Sequence, residues 1–416
     1  MDKIKVIGGR KLSGQIYISG SKNSVVSLIP AAILSDKTVI NKIPHISDVE
    51  NLEEILKYLN VSYFFSDDSL YIDTDGMVNK KITLEYSSKL RASYYFMGAL
   101  LARFGRVEIS LPGGCVIGAR PIDFHLKGFE MMGAKVSIDD DLYVIEASRL
   151  KGAVIDLPFP SVGATVNLLL AAVGASGKSV INNAACEPEI GNLIDFLVSM
   201  GANISGKDSN RLEIVGGFDL SGGIVSVIPD RIEAGTYILA GLMNGDNLEV
   251  CNVDAGHLKS FFDVLDSMGA DYRIDGDKVI TNRSCHLKPC HIETAVYPGF
   301  ATDLQQPITT LLLLADGESV VHETIYENRF QNTKYLNEMG ANIKVCGDTI
   351  HVFGPTKLKG KLVRTSDLRA GAALVLAALN ADGETVITDI KHLLRGYSDL
   401  IEKFTNVGAK IWLIDE

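Results

Sequence analysis

The chain has 416 residues, 46% of them hydrophobic and 22% charged. That is enough for two or three domains with cores of their own, and it excludes a disordered tail or a disulfide mini-scaffold. Forty basic against 51 acidic side chains leave a net charge of −11, so no global positive field draws in nucleic acid or an anionic membrane. Any anionic ligand must then be held by a local cluster. In chain order, GSKN at 20–23 opens an apolar helix, SLIPAAILSDKT. A short strand follows, VINKI, and then an amphipathic helix that ends at ILKYLNVSY.

The same order recurs. The apolar helices are YFMGALLARFGR, NLLLAAVGASGK, YILAGLMNGDN, TTLLLLADGES and ALVLAALNADGE, and their strands are VEISL, VINNA, LEVCN, VVHET and VITDI. Each second helix ends at FEMMGAKV, FLVSMGANI, VLDSMGADY, YLNEMGANI or FTNVGAKI, with glycines at 133, 201, 269, 340 and 408. The first copy has Asn60 in that place, the usual substitute for glycine at a left-handed helix terminus. One unit reads strand, helix, strand, helix, strand, strand. Six units of about 70 residues exceed solenoid repeats, and their alternation favours mixed sheets with helices packed on them. Two domains of three units each are the simplest partition.

The first helix of successive units starts at Lys22, Arg91, Gly163, Glu233, Asp303 and Arg369, at intervals of 69, 72, 70, 70 and 66. Chemically versatile residues thus share one structural position, where free N–H groups and the helix dipole favour anions. LPGGCVIGARPID, from Leu111 to Asp123, adds Cys115 in a glycine-rich stretch that suits a mobile lid, with Arg120 five residues on. YPGFATDLQQP sets Asp303 after a Pro-Gly turn, as an N-cap or as a general base. PSVGATVN at 160–167 suits a flat heterocycle or a phosphate, or merely a tight turn.

The six cysteines, at 115, 186, 251, 285, 290 and 346, are too sparse for a disulfide framework and form no CxxC pair. A reducing cytoplasm fits, and Cys285 with Cys290 lacks the second pair a zinc site needs. MDKIKVIGG has no signal-peptide core, and no apolar run nears the roughly 20 residues that span a bilayer. A cytoplasmic protein without a membrane partner is expected.

SGSKN, LRAS at 90–93, PGGCVIGARPID, SVGAT at 161–165, EPEI at 187–190, PDRIEAGT at 229–236, PGFATDLQ at 298–305, ENRF at 327–330, SDLRA at 366–370 and RGY at 395–397 follow in order. Together they resemble the UDP-N-acetylglucosamine 1-carboxyvinyltransferase family of enolpyruvyl transferases, end to end. The resemblance implies an α/β fold of two inside-out α/β barrel domains, each of three βαβαββ units. One domain is 1–20 with 230–416 and the other is 21–229, which carries the Cys115 loop, with the active site in the cleft between them. It implies phosphoenolpyruvate and UDP-N-acetylglucosamine as substrates, no nucleic-acid partner, no metal and no other cofactor.

Carried over by residue, Lys22, Asn23, Arg120, Arg369 and Arg395 would bind phosphoenolpyruvate. Arg91, Arg120, Pro121, Ile122, Asp123, Phe124, Ser161, Val162, Gly163, Asp303 and Ile325 would bind the sugar nucleotide. Cys115, Asp303, Lys22 and Arg395 form the implied catalytic set. Cys115 protonates the methylene carbon and is the implied target of fosfomycin, while Asp303 meets the sugar 3-hydroxyl. Val166 and Phe124 depart from commoner family residues without removing a charge the chemistry needs. Two rivals share the scaffold. A 5-enolpyruvylshikimate-3-phosphate synthase would carry a Gly-Asn-Ala-Gly-Thr-like run, which is absent. A non-catalytic UDP-sugar sensor would not need Lys22, Cys115, Asp303 and Arg395 together.

Overall fold

A computed structural model describes residues 3–110, 122–217 and 219–414. These divide into two compact units. A continuous unit runs from Gly20 to Ile228, and a split unit joins the stretch ending at Ser19 to the stretch beginning at Pro229. Each has its own hydrophobic core.

Six helices stand at the start of the six repeats: α1 (Lys22–Ala32), α2 (Phe96–Phe104), α3 (Val162–Gly174), α4 (Arg231–Asn244), α5 (Thr302–Leu312) and α6 (Leu368–Asn380). Their sequences are apolar nearly all round, so no face can be left to water. In α3 every residue from Gly163 to Val173 is buried, and in α4 every residue from Ile232 to Asn244. In the continuous unit α2 packs on both α1 and α3; in the split unit α4, α5 and α6 touch pairwise. Helices form the centre and sheets the outside, which is the inside-out order.

The second helices are amphipathic and bury one stripe. Lys259–Met268 buries Phe261, Phe262, Leu265 and Met268, then stops at Gly269 with φ +73°. Gly133, Gly201, Gly340 and Gly408 also have positive φ, and Asn60 sits at +61° in the equivalent place. A left-handed residue turns the chain back there, which glycine and asparagine tolerate best.

Among the described residues the strands form six separate sheets, three to each unit. The third repeat shows the pattern in one stretch. Val154–Asp156 pairs parallel with Gly177–Asn182, which pairs antiparallel with Arg211–Gly216, and Asn203–Ser205 flanks that strand. Three repeats depart from contiguity. The first takes its opening strand, Ile224–Ser226, from the far end of its unit, parallel to Lys37–Asn41. The fourth takes Leu12–Tyr17, parallel to Gly245–Cys251. The sixth places Lys3–Ile7 between Glu384–Thr388 and Lys410–Ile414. In the second repeat the opening strand shrinks to one parallel bridge, Ile82 to Ile109.

Candidate active site

In the continuous unit the first turns of α1 and α3 and the approach to α2 carry the expected ligand residues. Ser21 caps α1 by accepting from the Ser24 N–H at 3.3 Å, and Lys22 is the first helical residue. The Lys22 ammonium lies 2.6 Å from Oδ2 of Asp48, whose side chain is wholly buried. Asn23 follows, half-buried. Ser161 caps α3 in the same way, accepting from Ala164 N–H at 3.3 Å, and so sets Val162 and Gly163 in the first turn.

Arg91 opens a short 3-10 helix, Arg91–Tyr95, and its guanidinium carbon stands 5.7 Å from the Tyr94 ring centroid. Tyr94 meets His125 edge-on at 5.1 Å. A Cβ at Gly163 would stand 2.6 Å from the Tyr94 hydroxyl, so any larger residue would have to displace that side chain. Ile122, Asp123 and Phe124 lead into the helix Asp123–Met131, which carries His125. Arg91, Gly163 and the His125 segment are therefore gathered at one place.

His125 is a residue that the sequence reading missed. Its Nδ1 is 2.9 Å from the Asn167 amide nitrogen, while Asn167 Oδ1 accepts from the Gly98 N–H at 2.8 Å. That second bond fixes the amide, so Asn167 donates to Nδ1 and the imidazole hydrogen sits on Nε2. Burial, with Arg91 adding to it, pushes the His125 pKa down to about 3. The ring is neutral across the physiological range.

In the split unit Asp303 lies in the first turn of α5 but is not its cap; Ala301 is, with no side-chain bond. The aspartate is instead gripped by two arginines. Arg329 Nη2 is 2.6 Å from Oδ1 and Arg369 Nη2 is 2.8 Å from Oδ2. The arginine side chains are 2% and 4% exposed, the aspartate 28%. Burial alone would lower the Arg369 pKa, but Asp303 overcomes it and the group is held above its ordinary value. Asp367 caps α6 by accepting from Arg369 and Ala370 N–H groups at 2.9 and 3.1 Å. Ile325 is tied in through its N–H, 2.9 Å from Glu323 Oε1, and the next residue, Tyr326, lies 5.5 Å from the Arg329 guanidinium. Arg395 is half-buried and, with Lys391, contributes to lowering the His392 pKa, behind burial.

The helix starts differ in what occupies them. Ser21 and Ser161 each accept from one first-turn N–H, and Asp230 and Asp367 from two. Glu233 shares the position in sequence but is buried, bonded to Ser19 N–H at 2.9 Å and to Lys403 at 2.5 Å. It braces the split unit. Arg329 and Asp367 stood within the motifs ENRF and SDLRA but received no role, since a pairing across 26 residues leaves no periodic trace. Cys115, Arg120 and Pro121 lie outside the described residues.

Six repeats, four of whose first helices carry a charged residue in the first turn, make up the fold of an enolpyruvyl transferase, as the family and structural matches show. A family model described as EPSP synthase (3-phosphoshikimate 1-carboxyvinyltransferase) matches residues 6–404, and the chain belongs to that family. Within it, the chain is 48% identical over 413 residues to UDP-N-acetylglucosamine 1-carboxyvinyltransferase 2 of Geobacillus kaustophilus, covering 99% of this chain and 96% of the relative. The Streptococcus mutans protein of the same name is 48% identical over the whole of both chains. Among solved structures, the enolpyruvyl transferase NikO from Streptomyces tendae superposes with a TM-score of 0.91 at 26% identity, covering 99% of each chain. An EPSP synthase from Acinetobacter baumannii shares the fold, at 0.75 and 18% over the whole of both chains.

Proposed function

We propose that the chain transfers the enolpyruvyl group of phosphoenolpyruvate to the 3-hydroxyl of UDP-N-acetylglucosamine and releases phosphate, the first committed step of peptidoglycan precursor synthesis. The observation that carries this reading is the Asp303 carboxylate, partly exposed and clamped by two buried arginines. Guanidinium groups held this rigidly fix the acceptor oxygens in place, as a positioned proton acceptor requires. Full-length identity of 47–48% to relatives bearing the carboxyvinyltransferase name supports the choice of acceptor over shikimate 3-phosphate.

In this reading protonation of the methylene carbon by Cys115 leaves an oxocarbenium-like centre at the carbon bearing phosphate. The sugar hydroxyl attacks it while Asp303 takes the hydroxyl proton, giving a tetrahedral ketal. Loss of a proton from the methyl group and of phosphate restores the double bond. Lys22, Arg120 and Arg395 stabilise the charge that builds on the leaving phosphate, with Asn23 and Arg369 beside it. Arg91, Pro121, Ile122, Asp123, Phe124, Ser161, Val162, Gly163 and Ile325 hold the sugar nucleotide, so the proposed ligands come from both units. Phosphate release with phosphoenolpyruvate, comparing UDP-N-acetylglucosamine with shikimate 3-phosphate, tests the proposal. Release with the second acceptor alone, or with neither, overturns it.

A further inference from the structure

We propose that Tyr397 and Thr236 are positioning residues for the transfer, holding the Arg369 guanidinium where it grips Asp303. This deepens the functional reading above and rests on it. The side chain of Arg369 is 4% exposed, and a charge that deep must find partners on more than one side. Asp303 supplies one at 2.8 Å. The ring of Tyr397, 1% exposed, supplies another, with the guanidinium carbon 5.7 Å from its centroid.

The direction of the hydrogen bonds follows from counting hydrogens. Thr236 Oγ1 donates to the Ile232 carbonyl at 2.9 Å, which uses its only hydroxyl hydrogen. The 2.9 Å contact between Tyr397 Oη and Thr236 Oγ1 must then run from tyrosine to threonine. The Tyr397 hydroxyl is thereby tied to α4, and the ring that carries it is held beside the Arg369 guanidinium. A chain of contacts results: the Arg369 guanidinium on the Tyr397 ring, the Tyr397 hydroxyl to Thr236, and Thr236 to the backbone of α4. It anchors a group on α6 to a rigid turn of a neighbouring helix. Neither Tyr397 nor Thr236 is needed to touch a substrate.

The test uses steady-state phosphate release by the full chain and its variants. Tyr397→Phe keeps the ring face but deletes the hydroxyl that ties it to Thr236, and Thr236→Val keeps the shape but deletes the anchor. Each should lower kcat about tenfold while the KM for UDP-N-acetylglucosamine stays within about twofold, as expected when a reacting group is displaced without loss of uniform binding. The double variant should be no slower than the slower single one, since both break one chain. Thr236→Ser should restore kcat. In nitrogen-15 NMR the guanidinium N–H signals of Arg369 should broaden alike in both single variants. Wild-type kcat in either single variant, multiplying losses in the double, or unchanged Arg369 signals overturns the proposal. No release from the unmodified chain overturns the functional reading itself and this proposal with it.

Discussion

Asp303 illustrates how a residue's role is set by its partners. Aspartate in a first turn is a common cap, yet Ala301 occupies the capping position and the carboxylate is drawn to Arg329 and Arg369. Asp303→Asn keeps the shape and replaces a base with a poor one. Turnover should fall by roughly 10²- to 10⁴-fold, with a much smaller change in sugar-nucleotide affinity, measured by phosphate release and calorimetry. Turnover within a few-fold of the unmodified chain would remove Asp303 from the proton transfer. Lys22 shows the same logic, since a buried Asp48 holds its ammonium at the helix start.

At the scale of elements, the turn after each second helix depends on one backbone conformation. Gly269 has φ +73° and open space where a Cβ would stand, so Gly269→Ala costs backbone strain alone, about 1 kcal/mol. Gly269→Asn should cost less, because Asn60 occupies the equivalent turn at +61°. Urea melts of the two variants check the order, and equal losses would mean that side-chain contacts dominate. The start of α4 carries a pH dependence. Burial, opposed by Lys403 and reinforced by Asp230, raises the Glu233 pKa from 4.5 to about 7. Between these values the folded chain holds a proton that the unfolded chain releases. The contribution of Glu233 is therefore fully present below pH 4.5 and is lost as pH rises through 7. Relative to Glu233→Gln, the unmodified chain should lose melting temperature from pH 5 to pH 8; parallel curves would show that Glu233 is already ionised in the fold.

For the molecule as a whole, the proposed substrate ligands belong to two units with separate cores. In that reading, closure of the units on the sugar nucleotide would expel water and strengthen the charge interactions of the transition state. Adding UDP-N-acetylglucosamine should therefore reduce the radius of gyration seen by small-angle scattering, whereas phosphoenolpyruvate alone should change it less. An unchanged radius at saturating sugar nucleotide would argue that the units work without closing.

Much of this architecture was legible in the amino-acid order, because its causes are local. A helix apolar on every side can lie only at a centre, and a Met-Gly-Ala terminus needs a left-handed turn wherever it occurs. Those two rules yield six repeats, their central helices and the first turns where charged residues collect. What the order alone could not supply depends on contacts between distant segments. Ile224–Ser226 opens the first sheet, and Lys3–Ile7 lies inside the last, as hydrogen bonding at a sheet edge is indifferent to chain distance. Glu233 and Asp303 share a position in their repeats, yet one is buried against Lys403 and the other presents a carboxylate held by Arg329 and Arg369. Charge at a helix start is written in the chain; whether it braces the core or faces a substrate is decided by what folds against it.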